Sequence, residues 1–326
     1  MRSFVLALAF VACAKEDSSP PPERAGPTEP SSPPEHTGGS EPEPTVDCDA
    51  RIDAPVSVRT LVDARAYHGL AFDDDGTLVG WDGSRSLTKS PYDGPAVPFV
   101  PGMLWVEQID RLPDGDFVVA ELSADRVARV SSDGATDTIA TGVGVLYGVT
   151  VGPDGHVYVA NGDVYRARVD TGALELVVDL GPYTPANAVD FSLDSTTMYI
   201  GTLSQSLFAV PLDAALNATS APVEVARIGN WHDAVAVDEC GDLWVPEHLT
   251  TSLYRVDGET FEVIPVYTPE TIIGFGHGAV WGNGIGGWRT DALYQPLPYN
   301  GNAVQEVVID ARSGDHVRTW NGARAP

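Results

Sequence analysis

The feature that most constrains this chain is a unit that returns about every 40 residues. Its first copy is Gly69-Leu70-Ala71-Phe72-Asp73-Asp74-Asp75-Gly76-Thr77-Leu78-Val79. Further copies run from Gln108 to Val119, Gly148 to Val159, Ala188 to Ile200 and Ala234 to Val245. Each has an apolar run, a turn at Asp-Gly or its equivalent (Asp75, Asp114, Asp154, Asp194, Cys240), then a second apolar run. Alternation with period two and a hairpin signal in each unit make these strands, not helices. A period in this range belongs to propellers or solenoids, and short, evenly spaced hairpins favour a propeller of four-stranded blades.

A sixth, weaker unit begins at Gly274, continues through Asp291 to Tyr294 and ends in a strand from Val304 to Asp310. The segment Val56 to Val62 has no blade of its own. It is expected to complete the last blade and so remove a free sheet edge. The expectation is therefore an all-β, six-bladed β-propeller of four-stranded antiparallel blades over residues 49–317, with a tail at 318–326. Seven blades would follow if two units had been merged.

The chain opens with Met1-Arg2 and an apolar run from Phe4 to Ala12, a secretory signal shape too short to span a bilayer. Phe10-Val11-Ala12-Cys13 resembles a bacterial lipobox. Residues 1–12 then read as a signal peptide and Cys13 as the lipidated residue. The Pro-, Glu- and Ser-rich stretch within residues 13–48 has too little apolar surface to order itself and reads as a disordered linker. The implied location is the bacterial cell envelope. The protein would be lipid-anchored, with the outer membrane favoured, and its folded domain would lie in the periplasm or at the cell surface. A monomer is expected, whose membrane contact is the lipid. The formal net charge of −27 disfavours nucleic acid as a partner. Cys48 and Cys240 remain either as a disulfide, which an oxidising compartment permits, or as two thiols.

The residues that open the innermost strands form a column: His68, Glu107, Tyr147, Asn187, Asp233 and His277. The following positions in phase are apolar (Leu70, Phe72, Val149, Val151, Val189, Phe191, Val235, Val237), so polarity is confined to one end of the channel. The Asn187 oxygen and the Asp233 and Glu107 carboxylates suit Ca²⁺, Mg²⁺ or Mn²⁺, while the histidines draw the set toward Zn²⁺, Mn²⁺ or Fe²⁺. Strand starts are also solvent-near, where polar residues are common. His232 beside Asp233 either assists it or faces away.

Two stretches resemble the regucalcin/gluconolactonase (SMP-30/LRE-like) family of six-bladed propellers: Pro185-Ala186-Asn187-Ala188-Val189-Asp190-Phe191-Ser192-Leu193-Asp194, and His232 through Val245. The resemblance implies a divalent-metal site using Asn187 and Asp233. Two positions depart from it. His68-Gly69 stands where the family has a Glu-Gly pair, and Tyr147 stands where it has a further Asn. By resemblance the chain is a metal-dependent lactonase or esterase-type hydrolase. Its ion would be held by Asn187 and Asp233, with His68 and Glu107 added from the column; the residues themselves, not the resemblance, further offer Asp233 and His68 as catalytic and Tyr147, His277 and His232 for the substrate. No G-x-S-x-G motif argues for a serine esterase. The alternative is a non-catalytic surface propeller that binds a glycan, peptide or partner protein, with Trp81, Trp231, Trp281 and Trp288 as candidate sugar platforms. A lyase acting on a cyclic ester, with His277 and Glu107 as bases, is a third reading.

Overall fold

The computed structural model describes residues 48, 53–181, 185–270, 278–315 and 317–318. They form six four-stranded antiparallel sheets. The innermost strands are Leu70–Phe72, Val106–Arg111, Gly148–Val151, Ala186–Phe191, Ala236–Val237 and Val280–Trp281, which open blades one to six. The one helical element among the described residues is a single turn at Leu122–Ala124. No helix among them is long and apolar enough to cross a membrane.

The ring closes as expected from the spare segment. Strand Ser57–Leu61 pairs antiparallel with Ala303–Val308, from Ser57 opposite Val308 to Leu61 opposite Val304. It is the outermost strand of blade six, so the two ends of the domain share one sheet. Residues 1–47, with Cys13, lie outside the described residues. Cys48 is bonded to Cys240, with their Cα atoms 5.7 Å apart, which settles the open choice in favour of the disulfide. The bond pins the start of the domain to the turn of blade five.

The core is six separate layers, each between consecutive blades. Between blades one and two, for example, Val79, Leu87 and Val100 meet Ile109, Phe117 and Val119. Between blades four and five, Tyr199 and Leu207 meet Val235, Leu243 and Val245. A sheet with a neighbour on each face buries both sets of side chains. This is why Leu78–Trp81 and Phe117–Glu121 are buried at every position instead of alternating as the sequence suggested. Trp81, Trp281 and Trp288 belong to these layers, which corrects the idea that they are sugar platforms.

At the channel end opposite the polar column, carboxylates bond one blade to the next. Asp110 accepts the Val151 N–H at 2.6 Å, and Asp190 accepts the Val237 N–H at 2.8 Å. The chain's last described residues cross this end. Gly314 N–H donates to the Val237 carbonyl, and buried Arg318 pairs with Asp190 at 2.7 Å and Asp315 at 2.8 Å. The folded part thus includes Arg318, which the sequence had assigned to the tail.

Burial raises these acids. Asp110 is pushed up to about 7 and Asp238 to about 6, chiefly by desolvation. Around Asp110, Asp315 and Asp190 push the same way. Asp190 is also raised by desolvation, against the pull of Arg318. A raised carboxyl holds its proton in the folded state over a window where the unfolded chain has released it. Unfolding free energy therefore falls as pH rises from the ordinary 3.8 toward about 7. Turn carboxylates such as Asp75 and Asp194, lowered by hydrogen bonds from Thr77 and Ser192, act in the opposite sense but below the ordinary range. Chemical denaturation should therefore give greater stability near pH 5 than near pH 8, and Asp110→Asn should flatten the slope, an effect of about 1–4 kcal/mol. A slope of the opposite sign, or one unaltered in Asp110→Asn, contradicts this account.

Candidate functional site at the channel mouth

His68, Glu107, Tyr147, Asn187 and Asp233 stand at or just before the starts of consecutive inner strands, and four of them fall into two groups. In blades one and two, His68 Nδ1 meets Glu107 Oε2 at 2.6 Å, and the Trp105 indole N–H donates to Glu107 Oε1. In blades four and five, Asn187 Nδ2 donates to Asp233 Oδ1 at 2.6 Å and to the His232 carbonyl at 2.7 Å. His248 Nδ1 bonds the second Asp233 oxygen. In a six-bladed ring blades one and two face blades four and five, so the two groups lie across the mouth from one another. Tyr147, half-buried, stands between them on blade three. His277 lies outside the described residues.

Backbone proximity makes this arrangement work. A Cβ at Gly148 would overlap the Asn187 carbonyl oxygen, and one at Gly69 would overlap the backbone of Gln108. Glycine directly after His68 and Tyr147 lets neighbouring inner strands close up, and at Gly69 this accompanies the His68–Glu107 contact.

His248 was not among the residues singled out from sequence. It sits after Leu243–Pro246, in the turn between two strands of blade five, outside the repeating column. Its one signal was Glu247-His248, two ionisable residues directly following a fully buried strand. Both are buried, and Glu247 caps the turn through the Leu249 and Thr250 N–H groups. His232 is corrected in the other direction. Its ring is fully buried and Nε2 donates to the Ile228 carbonyl at 2.9 Å. Desolvation lowers its pKa and keeps it neutral. It is a packing residue of blade five, because neighbours in an extended chain point oppositely and Asp233 takes the channel side.

A carboxylate can only accept, so each imidazole presents an N–H at Nδ1 to its partner. The set is thus two histidine–carboxylate pairs, one oriented further by an asparagine. The residues that the resemblance assigns to a metal do not converge as a cage. Among the described residues no three His, Cys, Asp or Glu side chains are placed to hold one ion. His68 and Glu107 bind each other, and Asn187 turns its N–H rather than its oxygen toward Asp233.

A six-bladed propeller with two histidine–carboxylate pairs at one channel mouth is the class that these features define. Residues 128–279 match the family model described as SMP-30/Gluconolactonase/LRE-like region, so the chain carries a region of that family, as its two motifs implied. Comparison with curated proteins returns no match. Solved structures agree on the fold. A gluconolactonase from Xanthomonas campestris superposes with a TM-score of 0.64 at 18% identity, covering 77% of this chain and 89% of that chain. A calcium-binding regucalcin from Agrobacterium tumefaciens gives 0.62 at 16%, covering 83% and 98%. A luciferin-regenerating enzyme gives 0.64 at 17%, covering 80% and 97%.

The close approach at Gly148 is testable by itself. Gly148→Ala should cost about 1–3 kcal/mol in urea denaturation, because Asn187 and its strand must move. A stability equal to that of the unaltered protein would show that the strands are not held this closely.

Proposed function

We propose that the channel mouth hydrolyses a small ester, most naturally a lactone, using its two histidine–carboxylate pairs. The observation that carries this reading is the chain Asn187, Asp233, His248. The amide fixes the carboxylate, and the carboxylate fixes the imidazole through Nδ1, so that Nε2 is the nitrogen given the part of the base. Both side chains of the Asp233–His248 pair keep some exposure, so water can reach them.

His248 Nε2 takes a proton from water as the water oxygen bonds to the ester carbonyl carbon. Asp233 stabilises the imidazolium that forms. The tetrahedral intermediate collapses by breaking its bond to the alkoxide oxygen, which takes the proton that His248 Nε2 accepted from water. Asp233 acts here as the carboxylate partner of the base, and the His68–Glu107 pair faces the bound ester from across the mouth. The metal role of Asn187 is replaced by positioning. No step is routed through a divalent ion, since the donors are engaged with one another.

Removing a general base or its orienting carboxylate costs about 10²–10⁴ in rate. With a small lactone and a pH-indicator assay, His248→Gln and Asp233→Asn should each lower kcat at least a hundredfold with unchanged circular dichroism, and chelation should leave kcat/KM unaltered. Full activity in both variants would rule out this mechanism. Loss on chelation with recovery on adding Ca²⁺, Mn²⁺ or Zn²⁺ would transfer the role to a metal. No hydrolysis by the unaltered protein would favour the binding-module reading.

Export with a lipid on Cys13 is the second part of the proposal. The Cys48–Cys240 bond supports it, because structural disulfides persist in oxidising compartments and are rare in the cytosol. The protein should fractionate with membranes, and Cys13→Ser should release it to the soluble fraction. A soluble protein that carries no lipid before any change would contradict this.

A further inference from the structure

Trp105 is the least expected residue at the mouth. Its φ is +47°, in the left-handed region that bulky side chains avoid. The Leu122 N–H donates to its carbonyl at 2.9 Å and helps hold the backbone there. The indole is nonetheless 45% exposed, so burying the ring does not account for the conformation. What the conformation does achieve is placement. The indole N–H reaches Glu107, and the ring centroid lies 5.9 Å from His68.

Behind it stands an aromatic wall. Tyr67 stacks on His68 with centroids 4.6 Å apart and meets Trp81 edge-on at 5.4 Å. Tyr67, Trp81, Leu104 and Trp105, with Ser84 and Ser123 at the edge, line a cleft of about 250 Å³. That is below the roughly 300–1,000 Å³ of sites that enclose a whole drug-sized ligand, so the cleft suits one substituent of a larger molecule. The other histidine–carboxylate pair is flanked in the same way. Trp231 is 43% exposed, and its ring lies 5.0 Å from that of His248.

We propose that Trp105 is a specificity-determining residue and that the substrate is an uncharged lactone or ester bearing an apolar ring, which the Trp105 cleft holds against the His68–Glu107 pair. Two carboxylates at the mouth and a net charge of −27 disfavour an anionic substrate. Aromatic faces with two hydroxyls at the edge favour an apolar ring over a polyhydroxylated one. This rests on the hydrolytic reading above and specifies its substrate class.

The test compares phenyl-substituted δ-valerolactone, unsubstituted δ-valerolactone and D-glucono-δ-lactone. The phenyl compound should show kcat/KM about tenfold above the other two, the order of an aromatic stacking contact. Trp105→Ala should collapse that ratio toward one through KM, and Trp105→Phe should restore most of it. A merely structural role would lower all three substrates alike and leave the ratio intact, which would overturn the inference, as would a preference for the gluconolactone. If the unaltered protein hydrolyses none of them, the hydrolytic reading fails, and the cleft is tested by quenching of tryptophan fluorescence. Tighter binding of phenyl-substituted δ-valerolactam than of the plain lactam, lost in Trp105→Ala, upholds the ring site. Equal binding overturns it.

Discussion

Everything at the channel mouth depends on the pairing of strand Ser57–Leu61 with Ala303–Val308. A propeller blade has no core of its own. Each sheet is buried only because a neighbour covers each face, and the six apolar layers exist only if the ring is closed. By completing blade six with the domain's first strand, the fold gives that blade the same four strands as the others and ties the two ends of the domain into one sheet. The Cys48–Cys240 bond reinforces that closure from the neighbouring blade. Arg318, crossing the far end of the channel to Asp190, adds a third tie from the chain's end.

Closure also explains why the two ends of the channel differ. At one end, carboxylates on inner strands reach the backbone of the next blade and are shielded from water, so their protons are held more tightly. At the other end, glycines at 69 and 148 let the strands approach and the column side chains meet each other. The first end is spent on joining blades. The second has polar groups beyond what joining requires, including a buried histidine bonded to a partly exposed aspartate, and that excess is what a chemical site needs.

Much of this was legible in the sequence, because propeller blades repeat and repeats are visible. The blade count, the closing strand and the column at the mouth all follow from position within a repeat. Glu107 and Asn187 were found because each opens an inner strand. His248 and Trp105 were not, since each lies in a connection between strands, where no repeat sets the position. Arg318 was missed for the same reason. His232 and the three buried tryptophans failed differently. Residue type suggested a surface role, but each is buried between packed elements, and only the assembled fold reveals it.

The family resemblance likewise gave the fold more securely than the chemistry. By resemblance His68 stands where a Glu is implied and Tyr147 where an Asn is implied, and the structure gives His68 the partner Glu107; partners decide what a carboxylate or an imidazole can do. The most direct measurement of the central claim is a crystal structure with a non-hydrolysable δ-lactam and a divalent ion both supplied. The account predicts the lactam carbonyl at the channel mouth, between His68 and His248, with Asp233 still bonded to His248. An ion coordinated by Asn187 and Asp233 in place of that bond, or a lactam bound away from the mouth, would contradict it.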